Sequence, residues 1–535
     1  MPEEKETRLV VEWKRLFPWW HIFRAFSIAM DTRKLTLAAG GIVATWLGWA
    51  LLALVFDPGK PAETVTERKP QTTAVDKASG GAEQSGEKLA GTDGKPKTDT
   101  TALPSPSVES KPESAALAAQ ELAQRQRQLY LHTITQEWLV WPAHVPRGDP
   151  SLPPHRAVAE LSPRLAEPNY WLSQVPAVLE PLARLIRPLT YFLHPWASWK
   201  SHLFAGLGVL WTLAVWGFVG GAITRIAAVE FARNDRISLS EAARFTLTHW
   251  VSLFGAPIFP ILVVGVITLA VVVLGTLLIM VPWVGDLVGA LSFPLALLAG
   301  LLMALALLVY AGWPMMYPAI SAEGGEAFDA INRSASYMYQ RPWHYIFYWT
   351  IALVYGVIVL FFAVTFTSFF VYLTGWALDL VWRPFWRSSD PDPLRALFIY
   401  APESYGWREM LAGSLSPAAE VVGKMALVPW LAAVLLGIWL HLVFLGMLGF
   451  AYSLFWSAST VIYFLLRKVV DETDLDEVYL EEEQEDLFPR PIAAPDISPR
   501  PTPPPDVRVA TPSAASAQES PGEAPSPRSE SPPSH

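Results

Sequence analysis

No cysteine occurs in this chain of 535 residues, and only 17% of its residues are charged. The missing thiols exclude disulfides, thiolate metal sites, iron–sulfur clusters and cysteine nucleophiles. Hydrophobic residues make up 52% of the chain, and they are gathered into long uncharged runs. A run of about 18 or more such residues is typical of a membrane-spanning helix. We therefore expect an all-α, polytopic transmembrane helix bundle and not a set of soluble domains.

Six runs are long enough to cross a bilayer. The first follows 34 residues and lacks a small-residue cleavage site before Asp57, so we interpret it as an uncleaved anchor. Only five residues, 282–286, separate the third and fourth runs, which predicts two antiparallel neighbouring helices. The expected spans are Leu35–Phe56, Leu203–Ile223, Phe254–Val281, Leu287–Tyr310, Tyr345–Leu373 and Leu427–Trp456.

The distribution of basic residues predicts the orientation, because short basic flanks favour the cytoplasm. Such residues cluster before the first run and after the second, fourth and sixth runs, so both termini are expected in the cytoplasm of a cell with an inner membrane. Against this topology, the loop 374–426, which it places outside, carries five basic residues. Tryptophan prefers the headgroup level, and the span ends are marked by Trp199, Trp250, Trp283, Trp313, Trp343, Trp376 and Trp430.

Composition divides the chain further. Pro176, Pro181 and Pro188 predict that the helical pattern around them is a broken helix lying on the outer membrane surface. The expected segments are a cytoplasmic amphipathic N-terminus (1–34), the anchor (35–56), a disordered extracytoplasmic linker (57–116), an extracytoplasmic helical or interfacial segment (117–200), a five-span bundle (201–470), an acidic cytoplasmic segment (471–487) and a disordered proline-rich tail (488–535).

Two amphipathic segments follow the second and fourth runs, and we call them the elbow helices. Ser238 and Glu241 have the spacing of a capping box, and Asp329 and Arg333 have that of an i,i+4 ion pair. Each segment follows a glutamate, carries an acid–alanine pair and leads to a tryptophan, which indicates a weak internal repeat. The residues expected to contact partners are Glu230, Glu241, Arg244, Glu323, Asp329 and Arg333.

The second elbow segment carries a family resemblance. The pattern Pro318-x4-Glu323-Gly324-x5-Ala330-x3-Ser334, followed by Trp343, is similar to an element of bacterial multi-pass membrane proteins, including the membrane domain that precedes some glycerophosphodiester phosphodiesterases. The segments PWWHIFRAFSIAMDTRKLTLAAGG and FWSASTVIYFLLRKVVDETDLDEVY resemble uncharacterised membrane proteins of planctomycete-type bacteria. The resemblance implies a topology and no activity. The chain lacks a soluble domain of the phosphodiesterase type, so that activity does not carry over.

Motifs that would indicate catalysis are missing. His441 is the one ionisable residue well inside a run, and we expect it to hydrogen-bond a neighbouring helix. A glycine-rich phosphate loop, HExxH and GxSxG are absent, and the acidic stretch from Asp471 has Leu475 where a calcium loop needs oxygen. Glu241-Ala-Ala is a poor match to the coupling loop of ABC permeases, because Leu247 replaces the expected glycine. We predict no catalytic residue, no cofactor and no metal.

These observations favour a non-enzymatic membrane protein that interacts with or organises partners. The expected partners are the lipid bilayer and cytoplasmic proteins, the latter through the elbow helices and the proline-rich tail; no nucleic acid is expected. The alternative is a permease or a permease subunit, because Pro257, Pro260 and Pro294 could open backbone groups onto a cavity. An enzyme acting on lipid is a third class without a candidate catalytic group.

Overall fold

The computed structural model describes residues 17–60, 112–144, 152–280, 285–386, 393–413, 422–423 and 425–480. Helices, turns and irregular segments make up this part of the chain, and no strand occurs in it. The described residues up to Tyr479 belong to one compact unit. The first 16 residues, most of the expected linker, the loop 281–284 and the tail beyond residue 480 lie outside the described residues.

Sixteen α-helices follow one another along the described chain. Four short 3₁₀ turns accompany them, at Pro18–Phe23, Pro163–Ala166, Tyr191–Leu193 and Ser404–Gly406. The helices are α1 (Arg24–Ala29), α2 (Thr32–Phe56), α3 (Pro112–Val140), α4 (Pro154–Ala159), α5 (Pro168–Val178), α6 (Glu180–Thr190), α7 (Trp199–Arg233), α8 (Leu239–Thr248), α9 (Trp250–Ile279), α10 (Gly285–Tyr310), α11 (Trp313–Glu323), α12 (Ala327–Gln340), α13 (Pro342–Trp386), α14 (Pro393–Leu397), α15 (Trp407–Ala412) and α16 (Leu427–Val470).

Six of these helices are long and apolar enough to cross a membrane: α2, α7, α9, α10, α13 and α16. They coincide with the six predicted runs and confirm an all-α, multi-pass membrane protein. Helix α13 has 45 residues and α16 has 44, which at 1.5 Å per residue is about twice the roughly 30 Å of hydrocarbon. The hydrophobic run marks only the stretch suited to lipid, because helical backbone bonds continue past the last apolar residue.

Helices α2, α7 and α16 pack together at the centre of the bundle. Glycines let α2 and α7 approach: a Cβ added at Gly208 would lie 2.1 Å from the Trp49 ring, and one at Gly48 would lie 1.9 Å from Trp211. The Trp49 indole also donates to the Thr212 hydroxyl at 2.8 Å. Gly217 and Gly221, four residues apart on α7, likewise let the start of α9 approach, because a Cβ at either position would lie against Leu253 or Phe254.

Helices α5 and α6 form the predicted broken helix, with Leu179 between them. The packing of α6 differs from that of a helix lying on a surface. Glu180 and Arg184 are buried, whereas Ile186 is 46% exposed. Pro181 lines a cavity together with residues of α13 and α16, so α6 lies among the spanning helices. The charged face of α6 turns inward because oppositely charged partners lie in the interior of the protein.

Helices α9 and α10 pack against each other as an antiparallel pair, as the short connection predicts. None of the residues in their most apolar stretches is buried in the protein. Pro257, Pro260 and Pro294 lie inside these helices without ending them.

Candidate functional site

The end of the bundle that carries both elbow helices is called the elbow face. Helices α8 and α12 lie there, beside the beginning of α2 and the end of α16. Lys34 at the start of α2 bonds Glu230 near the end of α7, and Tyr337 of α12 donates a hydrogen bond to Asp471, the residue after α16. An even number of crossings brings both ends of the described chain to one face.

The first elbow helix, α8, begins as its sequence predicts. The Ser238 hydroxyl accepts from the Glu241 amide at 3.2 Å, and the Glu241 carboxylate accepts from the Ser238 amide at 2.8 Å. This reciprocal capping box satisfies two amides that the helix itself leaves free. Glu241 and Arg244 are both exposed on α8, so their side chains are accessible from outside the protein.

The second elbow helix, α12, brings three of the predicted residues together. Arg333 pairs with Glu323 at 2.8 Å and with Asp329 at 3.0 Å. Glu323 also accepts a hydrogen bond from Tyr463 and pairs with Arg467 at 3.4 Å, both on α16. The i,i+4 pair was predictable from local spacing, whereas the links to α16 join residues more than a hundred positions apart.

Burial and neighbouring charges both shift the pKa values of the groups in this cluster. Burial raises the pKa of Glu323, although Tyr463, Arg333 and Arg467 favour its ionised form. Burial disfavours the charged form of Arg333, but Glu323 outweighs it and holds the pKa of the guanidinium above its ordinary value. Burial and the nearby Asp471 raise the pKa of Tyr337. The cluster is a paired network in which each charge has a compensating partner.

Glu230 belongs to a separate pair. Its carboxylate lies 2.6 Å from the Lys34 ammonium, whose side chain is completely buried. Of the six residues expected to contact partners, Glu323, Asp329 and Arg333 share one cluster, Glu241 and Arg244 lie exposed on α8, and Glu230 anchors α2 to α7. Glu230 is thus occupied within the protein.

The segment after α16 folds back onto the elbow face. The buried Arg225 guanidinium donates to the Ser321 carbonyl at 2.7 Å and to the Tyr479 carbonyl at 2.8 Å. The Tyr479 amide donates to the Ala322 carbonyl at 2.8 Å. Gly324 ends α11 with φ 68°, and a Cβ there would lie 2.7 Å from the Tyr479 ring. Glycine is required at this position both by backbone conformation and by the docked segment.

The two elbow segments share an order of elements. Asn234 after α7 and Gly324 after α11 both adopt the left-handed conformation that ends a helix. An elbow helix follows each, with Ala242 and Ala330 buried at corresponding places, and then a spanning helix begins. The local architecture therefore agrees with the weak internal repeat seen in the sequence.

A second charged network, away from the elbow helices, was missed by sequence reasoning. Arg184 pairs with Glu180 at 2.8 Å and with Glu137 at 2.9 Å, and its guanidinium lies over the rings of Trp138 and Trp141. Glu137 also receives the Tyr191 hydroxyl at 3.0 Å and Arg187 at 2.8 Å. Two carboxylates thus meet two guanidiniums, which balances the charge.

This network lies level with the spanning helices. Trp138, next to Glu137, stacks on Trp49 of α2 with ring centroids 4.1 Å apart, and Pro181, next to Glu180, faces Gly356 and Ala451. The six hydrophobic runs contain none of these charges, because all of them come from the segments between the first and second runs. The i,i+4 spacing of Glu180 and Arg184 was the one available signal.

Two histidines also lie in apolar surroundings. His441 bonds the Gly437 carbonyl of its own helix at 2.8 Å, so the expected bond to a neighbouring helix is wrong. His155 is completely buried near Tyr372, and neither ring nitrogen has a partner among the described residues. Burial, with Arg156 nearby, lowers the pKa of His155 from 6.5 to about 4. His155 is therefore neutral at pH 7.

Within the described ranges, no three residues of the His, Cys, Asp and Glu types come together in a way that could hold a metal ion. The fold and the site define an all-α, multi-pass membrane protein with a charged, elbow-bearing face. Comparison with known proteins finds no family model, no curated protein and no solved structure that matches the chain.

Proposed function

We propose that this protein is a non-enzymatic organiser at a membrane surface, which binds partners through its two elbow helices and its C-terminal tail. The observation that carries the proposal is the attachment of Tyr479 to Arg225 and Ala322. These bonds make the described segment up to Tyr479 part of the elbow face.

Accessible charge on the elbow helices supports the same function. Glu241 and Arg244 are exposed, and the Asp329 side chain is 46% exposed despite its pair with Arg333. Paired and partly exposed charges of this kind contribute little to stability, but they can fix the register of a partner. In the proposed topology the elbow face is cytoplasmic, in a cell inner membrane, and the partners are cytoplasmic proteins.

The test compares cross-linked partners of the full chain, of a chain ending at residue 487, and of the double variant Glu241→Gln, Arg244→Gln. The truncation retains Tyr479 and its attachment, and glutamine at 241 can still accept the capping hydrogen bond. The matched control is Arg156→Gln with Glu160→Gln, two exposed residues of the opposite end. We expect the truncation and the elbow variant to lose partners that the control keeps. Identical partner sets in all four proteins would refute an organising role.

A permease or permease subunit is the second candidate. The buried network of Glu137, Glu180 and Arg184 favours it, because ionisable groups among spanning helices often lie on transport paths. Among the described residues, two cavities lie next to α6, and both are lined mainly by apolar side chains. This apolar lining favours the organising role instead. Reconstituted protein that raises proton or ion flux across liposomes, with loss of the flux in Arg184→Met, would reverse this preference.

A further inference from the structure

A groove runs between α13 and α16 and is closed at one side by α6. It encloses about 560 Å³ of space not occupied by atoms, part of it open to the exterior. Small residues form much of its wall, with Ala352 and Gly356 on α13 and Ala451 and Ala458 on α16. The remaining wall is made of Leu179, Pro181, Leu182, Trp349, Leu353, Val357, Leu360, Leu454 and Phe455.

The length of the groove matches one leaflet of a bilayer. Trp349 and Leu360 line it at positions eleven residues apart on α13, which is about 16 Å of helix. Half of a hydrocarbon core of roughly 30 Å is about 15 Å. Since α13 begins at the elbow face and Trp349 is near that beginning, the groove lies in the leaflet on the elbow side.

The groove is too small for another spanning helix. One helical turn with its side chains is about 10 Å wide and 5.4 Å long, so it occupies on the order of 400 Å³, and a crossing needs about 20 residues. A single flexible hydrocarbon chain has no such requirement. The surroundings in the membrane supply acyl chains at high concentration, and the apolar wall offers such a chain no polar group to desolvate.

One polar atom in the wall is left without a partner. The Nε1 atom of Trp349 is buried and makes no hydrogen bond to any described residue, although the ring packs near Phe455. A buried N–H that stays unsatisfied costs free energy. Trp349 lines the end of the groove nearest the elbow face, and a turn of its indole ring toward the groove would present this N–H to an ester carbonyl of a phospholipid, which accepts hydrogen bonds from indoles.

We propose that the groove binds one acyl chain of a diacyl phospholipid from the elbow-side leaflet, with a lipid ester carbonyl accepting a hydrogen bond from Trp349. This lipid site is additional to the organising role and does not depend on it. A bound chain would fill the space between α13, α16 and α6, and so hold α6 and its charged network in place.

The first experiment fills the groove. A Cβ added at Gly356 would meet no atom within 4 Å, and the same holds for Gly265 on the exposed α9. Gly356→Leu therefore occupies the groove, and Gly265→Leu is the matched control. Dioleoyl phosphatidylcholine is titrated into each purified protein, and bound lipid is counted by native mass spectrometry. We expect one tight lipid on the wild type and on Gly265→Leu, with binding to Gly356→Leu weaker by about tenfold or more.

Equal binding to Gly356→Leu and the wild type would overturn the proposal. Loss of a dimer in Gly356→Leu, with the number of bound lipids unchanged, would also overturn the proposal, because the groove would then be a contact between two copies of the chain. Thermal unfolding checks that the variant is folded. If Gly356→Leu fails to fold, Gly356→Ala, which adds a single carbon, is titrated in its place and is expected to bind the lipid more weakly than Gly265→Ala does.

The second experiment tests the hydrogen bond. Trp349→Phe keeps an aromatic ring and removes the N–H group. We expect it to weaken binding of the diester lipid by about fivefold and to leave binding of the diether analogue unchanged, because the ether lipid has no carbonyl. The same loss for both lipids, or no loss for either, would contradict the role assigned to Trp349.

Discussion

The α2–α7 pair and the α9–α10 hairpin are both made of long apolar helices, but their surroundings differ. In the most apolar stretch of each helix, 39% of residues are buried in α2 and 50% in α7, whereas none is buried in α9 or α10. The more buried helices are also the less hydrophobic ones. Lipid-facing helices need apolar side chains all round, whereas helices in a bundle core carry small and polar residues that let backbones approach.

Polar chemistry follows the same division. The buried ion pairs and the indole–hydroxyl bond of Trp49 and Thr212 all lie on the side of α2, α7 and α16. The described side-chain hydrogen bonds between two residues of the hairpin are of two kinds. Hydroxyls donate to carbonyls of their own helix, and the Thr268 hydroxyl donates to the Met303 sulfur. The comparison therefore predicts that the same substitution is costly on one side and mild on the other.

The largest effect is expected for Arg184→Met, which leaves Glu137 and Glu180 without their shared buried partner. Breaking one half of a buried pair costs about 3–5 kcal/mol. Arg187→Met is the control, since Arg187 is about half exposed and its pair is worth under about 1 kcal/mol. Unfolding in detergent, followed by denaturant titration, measures both. Equal losses would show that burial does not set the cost.

Truncation of an aliphatic side chain separates core from lipid-facing surface. Ile462 of α16 is completely buried, and Leu298 of α10 is 53% exposed. Ile462→Ala leaves a cavity and should cost about 2–5 kcal/mol, whereas Leu298→Ala leaves a space that lipid or detergent fills and should cost under about 1 kcal/mol. The measurement is the same unfolding titration. A large loss for Leu298→Ala would mean that the hairpin is covered by protein.

Adding a single carbon tests overpacking, where the truncations above test cavity formation. Gly208→Ala places a Cβ against the Trp49 ring, while Gly265→Ala points into open space. Overpacking costs about 1–3 kcal/mol, and the exposed change should stay within about 0.5 kcal/mol of neutral. Thermal melting of both variants in one detergent checks this prediction. If both variants melt with the wild type, α2 and α7 are not in contact at Gly208.

The smallest expected effect is a pH dependence of the stability of the bundle, caused by His155. The pKa of His155 is lowered from 6.5 to about 4, so its contribution to stability is complete above pH 6.5 and is lost as the pH falls from there toward 4. Between pH 7 and pH 5.5 the loss is about 1 kcal/mol. His155→Leu should flatten this part of the profile. A profile unchanged by the substitution would assign the dependence to other groups.

Local features of the site were predictable, and distant ones were not. The capping box of Ser238 and Glu241 and the pair of Asp329 and Arg333 follow from spacings of three and four residues, which helix geometry alone brings together. The contact of Glu323 with Arg467 joins two helices, and that of Arg225 with Tyr479 joins α7 to the segment after α16. No local spacing encodes them, because they depend on which helices pack side by side.

The misplaced α6 illustrates the same limit. Its prolines correctly predicted a break, since proline removes a backbone donor and crowds the preceding turn. The burial of Glu180 and Arg184 was not predictable, because the sequence of an amphipathic helix gives no sign of a partner such as Glu137. Only the docking of α3 beside α2 brings that carboxylate within reach of Arg184.

By itself the sequence determined that the chain is all-α, that six helices are long and apolar enough to cross a membrane, and where the capping box of α8 forms. These features depend on the transfer of apolar residues into lipid and on bonds within a few residues, and both are local properties. The tertiary structure alone decided which spans are buried, where the charges of the connecting segments go, and that a leaflet-long groove opens between α13 and α16. Those outcomes depend on packing between distant segments. Hydrophobicity favours such packing but does not specify which segments pack together.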